Sequence, residues 1–349
     1  MANNYLDLCG IEFTEFSSNE PKALDQLFKA FGFSKLMRHE SKKIDLYQQN
    51  DIVFLLNYEP QTFGNEFFKA HGPCVSSMGW RVKDSKKAFA TAIERGAVAS
   101  DTKNIDYTIS DEQIPTIVGI GDSNIYFMDN FTDGDRYEKM GFKKLDNPEM
   151  VESLGFTIID HLTNNVNKGE LEKWASFYKD IFGFEEVRYF DIKGVKTGLQ
   201  SFALRSPDGS FCIPINEATD PKSQISEYLE QYKGPGVQHI AFLTDDIVKS
   251  VAGIQKAGIT CLDIDDQYYD EVFERLPNVT EDQKSLKDLQ ILVDGDETGY
   301  ILQIFTKNVI GPIFIEIIQR KNHQSFGEGN FGALFRSIER DQQKRGYLD

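Results

Sequence analysis

The sequence predicts an α+β fold of four similar units arranged in two halves, and three observations carry that expectation. The chain has 349 residues, more than one typical core holds and enough for two domains. It also repeats itself: GPCVSSMGWRVKD (72–84) and GPGVQHIAFLTDD (234–246) share Gly-Pro, a Val two residues on, an alternating apolar strand and an Asp before a helical segment. A second echo pairs KAFGFSKLMRHE (29–40) with DIFGFEEVRYFD (180–191), where a helix ends at Phe-Gly-Phe and a strand follows. Self-similarity of this kind marks a recurring structural unit.

Taken in order, the units span about 8–70, 72–135, 155–220 and 234–320. Each reads as a strand, a helix and then several strands, which argues for mixed sheets. SKKAFATAIERGA (85–97) and IVKSVAGIQKAGI (247–259) are the helices of the second and fourth units. Asp84 and Asp246 are their expected N-caps, because a short carboxylate accepts from the first free N–H groups. Gly96 and Gly258 fall at matching places as helix stops, since glycine adopts the left-handed conformation cheaply. DNPEMVESLG (146–155) reads as the link, giving domains at 1–150 and 151–349. GNFGALFRSIERDQQKRGY (329–347) reads as a final helix, with Phe331, Leu334, Phe335 and Ile338 at helical spacing. It should pack over the last strand as a lid, which is compatible with plain docking.

Hydrophobic residues make up 40% of the chain and aromatic residues 12%, so both halves can hold a core. The net charge of −17 argues against nucleic acid and anionic membrane surfaces as partners, since both need basic patches. No apolar run approaches the roughly 18–20 residues of a membrane helix. MANNYLDLCG lacks the basic and apolar regions of a secretory signal. Cys9, Cys74, Cys212 and Cys261 are scattered, as expected for reduced thiols of a cytoplasmic protein without disulfides or zinc–thiolate sites.

Polar residues inside apolar strands are the functional signal. In GPIFIEIIQR (311–320), alternation puts Phe314, Glu316 and Ile318 on one face and Ile313, Ile315 and Ile317 on the other. A carboxylate there loses hydration and requires a partner, a proton or a metal. Arg320 or Lys321 could supply an ion pair. Of five histidines, His161 closes LGFTIIDH and His239 lies in GVQHIAFL. One such histidine is ordinarily a hydrogen-bonded core residue. Two histidines and one carboxylate at related places in one half form the ligand set of non-haem iron(II) oxygenases. The first half is a control: Ser77 stands at the place of His239, SNIYFMD (123–129) offers a Met or Asp for Glu316, and the place of His161 falls near Glu15 and Phe16. The first half therefore reads as a scaffold without a metal site.

Gln238 precedes His239, and Gln303 shares a face with Ile301 and Phe305 in GYILQIF. With Gln224, Asn216 and Ser201, these are uncharged groups able to orient an oxygen-rich ligand. Phe314, Phe326 and Phe331 could wall an aromatic pocket. Taken singly, such residues are usually surface, turn or core positions. Gly327, Gly329 and Gly332 spell GxGxxG, but KNHQSF intervenes after the strand and no second parallel strand follows. A nucleotide fingerprint needs the whole βαβ unit, so these glycines are expected to shape the turn that brings the last helix over the site.

FIEIIQRKNHQSFGEGNFGALFRSIERDQ (314–342) closely resembles the C-terminal signature of the 4-hydroxyphenylpyruvate dioxygenase family. IIDHLTNNV (158–166), YFDIKGVKTGLQS (189–201) and GVQHIAFLTDDI (236–247) resemble further family segments in the same order. The likeness covers the second half; the first is similar in length and layout. It implies the vicinal oxygen chelate superfamily: repeated βαβββ modules forming two open-barrel domains, plus a C-terminal gating helix. It implies Fe(II) held by His161, His239 and Glu316. Substrate-binding roles follow for Ser201, Asn216, Gln224, Gln238, Gln303, Phe314, Phe326 and Phe331, with Gln238, Gln303 and Asn216 acting in catalysis. The implied reaction is oxidative decarboxylation of 4-hydroxyphenylpyruvate by O₂, with ring hydroxylation and side-chain migration, giving homogentisate and CO₂ in tyrosine and phenylalanine catabolism. A cytoplasmic homo-oligomer, dimer or tetramer, is implied too. Two alternatives stand beside it. One is 4-hydroxymandelate synthase, against which Pro214, Asn216 and the Phe-rich pocket weigh. The other is a metal-free binding protein on the same fold, against which the ligand triad weighs.

Overall fold

The computed structural model describes residues 3–194 and 196–348. Met1, Ala2 and Asp349, at the outer ends of the two expected domains, and Val195, within the motif at 189–201, lie outside the described residues. The first half contains β1 (Leu8–Ser17), β2 (Ser34–His39), β3 (Ile44–Gln49), β4 (Ile52–Asn57), β5 (Cys74–Val82), β6 (Thr108–Ile109), β7 (Glu112–Gln113), β8 (Thr116–Val118), β9 (Asn124–Met128) and β10 (Phe142–Glu149). The second half contains β11 (Phe156–Val166), β12 (Glu185–Lys193), β13 (Gly198–Arg205), β14 (Cys212–Ala218), β15 (Gly236–Thr244), β16 (Leu292–Asp296), β17 (Gly299–Phe305) and β18 (Phe314–Lys321).

Two eight-stranded sheets result, ordered β10-β2-β3-β4-β1-β5-β9-β8 and β12-β13-β14-β11-β15-β18-β17-β16. Within each module the first strand pairs in parallel with the last: β1 with β4, β5 with β9, β11 with β14, β15 with β18. A parallel pair needs a crossover, and helices Pro21–Ala30, Ser85–Glu94, Leu171–Phe177 and Ile247–Lys256 lie on those crossovers. Two modules then join through antiparallel first strands, β1 with β5 and β11 with β15. The second module departs from this plan. Its β6–β7 pair stands apart as a small sheet of its own, and β10 returns to pair with β2 at the far edge.

Local signals act where they are written. Asp84 and Asp246 accept from Lys87 N and Lys249 N at 2.9 and 3.0 Å. Gly96 and Gly258 take φ of +103° and +91°, so each ends its helix in a conformation an L side chain resists. The expected link at 146–155 divides, because its first four residues, Asp146–Glu149, extend β10. Pro148 is tolerated there because β10 is an edge strand with one neighbour.

The two halves share an aromatic core. Phe31 and Phe33, from the first Phe-Gly-Phe turn, lie 6.1 and 5.8 Å from the Phe242 ring, and Trp80 lies 4.9 Å from Phe182 and 5.4 Å from Phe211. Burying rings of this size contributes roughly 1.5–3 kcal/mol each. The final helix spans Phe331–Lys344, inside the expected 329–347, and a short turn Glu328–Asn330 precedes it. Among the described residues, no helix is long and apolar enough to cross a membrane, and the four cysteines are free.

Candidate metal centre and substrate cavity

His161, His239 and Glu316 sit on three adjacent strands, β11, β15 and β18. Register explains their convergence. His161 is paired with Ala241, and Ala241 with Glu316. Directly paired residues point to the same face, so the row His161–Ala241–Glu316 has only a methyl at its centre. His239 is two residues before Ala241 on the same face and reaches into that gap. Glu316 Oε2 lies 3.0 Å from His161 Nε2 and 3.4 Å from His239 Nε2. The three donor atoms lie within 4.8 Å of one another.

Each donor is held from behind. His161 Nδ1 faces Asp160 Oδ2 at 2.8 Å, and Arg320 grips Asp160 with two bonds of 2.9 and 3.0 Å. His239 Nδ1 faces Gln238 Oε1 at 3.1 Å. Both imidazoles thus present Nε2 to the centre. Gln303 Nε2 donates to Glu316 Oε1 at 2.9 Å. Arg320 is therefore the partner of Asp160 and not of Glu316: its side chain lies on the same strand four residues on, but turns to the carboxylate behind His161.

Electrostatics follow from burial and proximity. Burial opposes the His161 imidazolium, but Glu316 and Asp160 outweigh it and raise the pKa to about 9. Burial also opposes ionisation of Glu316, and the two imidazoles outweigh it, lowering the pKa to about 2. His239 is lowered, chiefly by burial. Burial acts against the Asp160 carboxylate too, yet His161 and Arg320 hold it well below the usual carboxylate range. Glu316 thus favours a proton on His161, which must leave when a divalent cation binds there. Two neutral imidazoles, one carboxylate and anchored outer nitrogens fit a first-row ion such as Fe(II) with open positions.

The centre lies in the wall of a cavity of about 640 Å³, part of it open to solvent. Ser201, Asn216, Gln224, Gln238, Gln303, Phe314, Phe326 and Phe331 all line it, as do His161, His239 and Glu316. Phe314 stacks on His239 at 4.7 Å and 19°, and Phe326 meets His161 edge-on at 5.7 Å. Asn216 and Ser201 are register partners on β14 and β13. The final helix covers the cavity with Phe331, Leu334, Phe335 and Ile338. Its polar side is tied down: Glu339 accepts from Thr197 N at 3.0 Å, and Gln342 donates to Glu227 at 2.9 Å. Gly327 takes φ +78° against Gln303, where a Cβ would overlap the amide. The glycine turn thus delivers the helix and forms no tight strand-to-helix turn.

Several residues of the site are not among the candidates that the sequence offers. Phe190 packs edge-on against Phe331 at 5.2 Å, and Thr163, Ile192, Leu199 and Phe305 line the cavity. Asp160 and Asn330 also belong to it through hydrogen bonds. A period-two reading of β11 marks where Thr163 points; it says nothing of Phe190 on a largely exposed edge strand.

The first half places other residues at the three positions. Phe13 pairs with Gly79, Gly79 with Tyr126, and Glu15 with Ser77. Matching these rows to His161–Ala241–Glu316 and Thr163–His239 puts Phe13, Ser77 and Tyr126 opposite His161, His239 and Glu316. Phe13 and Tyr126 thereby replace the expected Glu15 or Phe16 and the expected Met or Asp. β11 carries the same two register shifts, at Ile159/His161 and Thr163/Asn164, as β1 does at Ile11/Phe13 and Glu15/Phe16, so strand pairing and not a count of residues identifies the counterparts.

Residues 2–146 match the family described as hydroxyphenylpyruvate dioxygenase, N-terminal, and residues 158–283 match the glyoxalase/bleomycin resistance protein/dioxygenase superfamily. Protein MelA of Shewanella colwelliana is 58% identical over 348 residues, covering 99% of both chains. The 4-hydroxyphenylpyruvate dioxygenase of Legionella pneumophila is 45% identical over 349 residues, 99% of this chain and 98% of that one. A solved structure of a 4-hydroxymandelate synthase variant from Streptomyces coelicolor shares the fold with a TM-score of 0.83 at 24% identity, covering 96% of this chain and 99% of that one.

Proposed function

The chain belongs to the 4-hydroxyphenylpyruvate dioxygenase family and is an enzyme; on that premise we propose that it converts 4-hydroxyphenylpyruvate and O₂ to homogentisate and CO₂ in tyrosine and phenylalanine catabolism. One observation carries the reading most directly. Two imidazole nitrogens and one carboxylate oxygen converge beside a Phe-walled cavity whose other polar groups are uncharged. His161, His239 and Glu316 hold Fe(II), leaving a net charge near +1 that suits an anionic 2-oxo acid. Bound Fe(II) supplies the redox chemistry that lets O₂ attack a 2-oxo acid.

The remaining work is placement by the chain itself. Phe314, Phe326 and Phe331 wall the aromatic ring. Asn216, Gln238 and Gln303 act in catalysis by holding substrate oxygens without adding charge, and Ser201 and Gln224 complete that polar lining. The final helix gates access, and its apolar side keeps water from the reacting atoms. Residues 151–349 form the catalytic domain and 1–150 the scaffold. The same reading takes the enzyme to be a cytoplasmic homo-oligomer, dimer or tetramer.

Anaerobic Fe(II) reconstitution, followed by 4-hydroxyphenylpyruvate and O₂ with product identification, tests this. Homogentisate is expected. Formation of 4-hydroxymandelate would move the assignment to the benzylic hydroxylase that shares this fold. A chain that binds substrate without Fe(II) would be the metal-free binding protein instead.

A further inference from the structure

The two oxygens of Glu316 keep different company. Oε2 faces both imidazoles, at 3.0 and 3.4 Å. Oε1 accepts from Gln303 Nε2 at 2.9 Å. Gln303 is held in turn, because its Oε1 accepts from Asn330 Nδ2 at 2.8 Å. Asn330 Oδ1 lies 2.7 Å from Tyr268 Oη, and that phenol oxygen accepts from Val293 N at 2.7 Å and also lies 2.7 Å from Val293 O, a second acceptor for its proton. Gln303, Asn330 and Glu316 are all buried.

From Asn330 to Glu316 this chain has one consistent order of donors. Asn330 N–H donates to Gln303 and Gln303 N–H to Glu316, while the one Tyr268 O–H proton is shared between Asn330 Oδ1 and Val293 O. Turning the Gln303 amide around would set its oxygen against the carboxylate and its NH₂ against the NH₂ of Asn330. Turning Asn330 around would set its oxygen against that of Gln303. In a buried network such misfits leave polar groups unpaired and are costly.

We propose that Tyr268 and Asn330 are positioning residues that make Glu316 a one-oxygen metal ligand. By fixing Gln303 they keep Oε1 engaged and leave Oε2 to face the metal position. The carboxylate then occupies one coordination position instead of two, and the freed position serves substrate or O₂. Asn330 directly precedes the final helix (Phe331–Lys344), so the relay also ties ligand geometry to the gate: a displaced helix releases Gln303. The inference rests on the reading of His161, His239 and Glu316 as metal ligands.

Co(II) loaded into the full-length metal-free protein reports coordination by its visible absorption, which weakens as coordination number rises, with no turnover required. Asn330→Asp keeps the size and the acceptor for Tyr268 but cannot donate to Gln303. Tyr268→Phe removes one oxygen remote from the metal. Both should still bind Co(II), with loss of band intensity, larger in Asn330→Asp, and with roughly 10-fold weaker binding of the 2-oxo acid to the Co(II) form. Folded variants whose spectra superimpose on the unsubstituted protein's overturn the relay and leave the metal reading intact. Should Asn330→Asp not fold, Tyr268→Phe decides alone by the same spectrum. Failure of the unsubstituted protein to take up Co(II) overturns the metal reading and the relay with it.

Discussion

The two sheets follow one plan and treat its centre in opposite ways. In the second half the row His161–Ala241–Glu316 leaves a gap over the alanine, and three donors meet there. In the first half the matching row is Phe13–Gly79–Tyr126. A Cβ on Gly79 would overlap the Phe13 ring, so the glycine is what lets that ring lie across the strand. Phe13, Tyr107 and Tyr126 are fully buried and pack mutually at 5.6, 6.0 and 5.3 Å. One half fills its concave face with side chains; the other leaves it open. Filling gains dispersion contacts and apolar burial, whereas an open cavity forgoes them. The same backbone thus carries a filled face or an open, donor-lined one according to what stands in one row of residues.

That contrast can be broken first at its centre. His161→Ala should lower metal affinity by more than about 100-fold, because a ligand matters more than the groups that orient it, and oxygen uptake should fall with it. Metal titration and oxygen electrode measurements check this; a variant that keeps both would remove the second half's claim to the chemistry. Phe13→Ala, at the matching position, should instead cost roughly 3–5 kcal/mol of stability as a buried ring is lost. The folded fraction should bind as much metal per chain as before. Denaturant unfolding beside metal analysis separates the two, and loss of metal without loss of stability would erase the distinction drawn between the halves.

Legibility in the sequence follows the range of each interaction. Caps and stops act within one helical turn, and so Asp84, Asp246, Gly96 and Gly258 are readable where they stand. His161, His239 and Glu316 are readable because a polar residue in an apolar strand is an anomaly. Ser201 and Gln224 are no anomaly in their surroundings: their chemistry makes them candidates, and only family resemblance gives them a role. Asp160, Asn330 and Tyr268 escape altogether. Each is an ordinary polar or amphipathic residue whose meaning lies in a distant partner: Arg320 is 160 positions from Asp160, and Tyr268 is 62 from Asn330. Counting places Ser77 correctly opposite His239 but misses Phe13 and Tyr126, because the strand pairing that fixes the correspondence leaves no mark in composition.

A smaller effect sharpens the contrast from behind the metal position. Asp160 orients His161 and contributes to its raised pKa. Asp160→Asn should weaken metal binding by roughly 10–100-fold. The proton on His161 must leave before a metal binds there. With a pKa raised to about 9, metal affinity should climb with pH up to that value in the unsubstituted protein. Removing the Asp160 charge should move that plateau to lower pH. Isothermal titration with Co(II) across pH reads both effects, and a plateau that stays in place would show that Asp160 does not set the His161 proton.

The smallest predicted effect concerns the acid that the first half conceals. Glu15 stands where the second half has Thr163, since Glu15 pairs with Ser77 as Thr163 pairs with His239. Glu15 accepts from Ser76 Oγ at 2.6 Å and from Tyr107 Oη. Burial, reinforced by the charge of Asp106, raises its pKa to about 7. A carboxyl group whose folded pKa is raised holds its proton more tightly folded than unfolded. Its contribution is therefore intact below the unfolded pKa of about 4.3 and is lost as pH rises through the folded value. Between about pH 5 and pH 7 the protein should lose about 2 kcal/mol from this group alone. Glu15→Gln should flatten that stretch of the stability curve, while Thr163→Val, uncharged in both forms, should leave its slope unchanged. Urea unfolding at the two pH values decides. Parallel losses in Glu15→Gln and the unsubstituted protein would mean that Glu15 is not the group that titrates there and would move the effect to another acid, such as the neighbouring Asp106, whose pKa burial also raises.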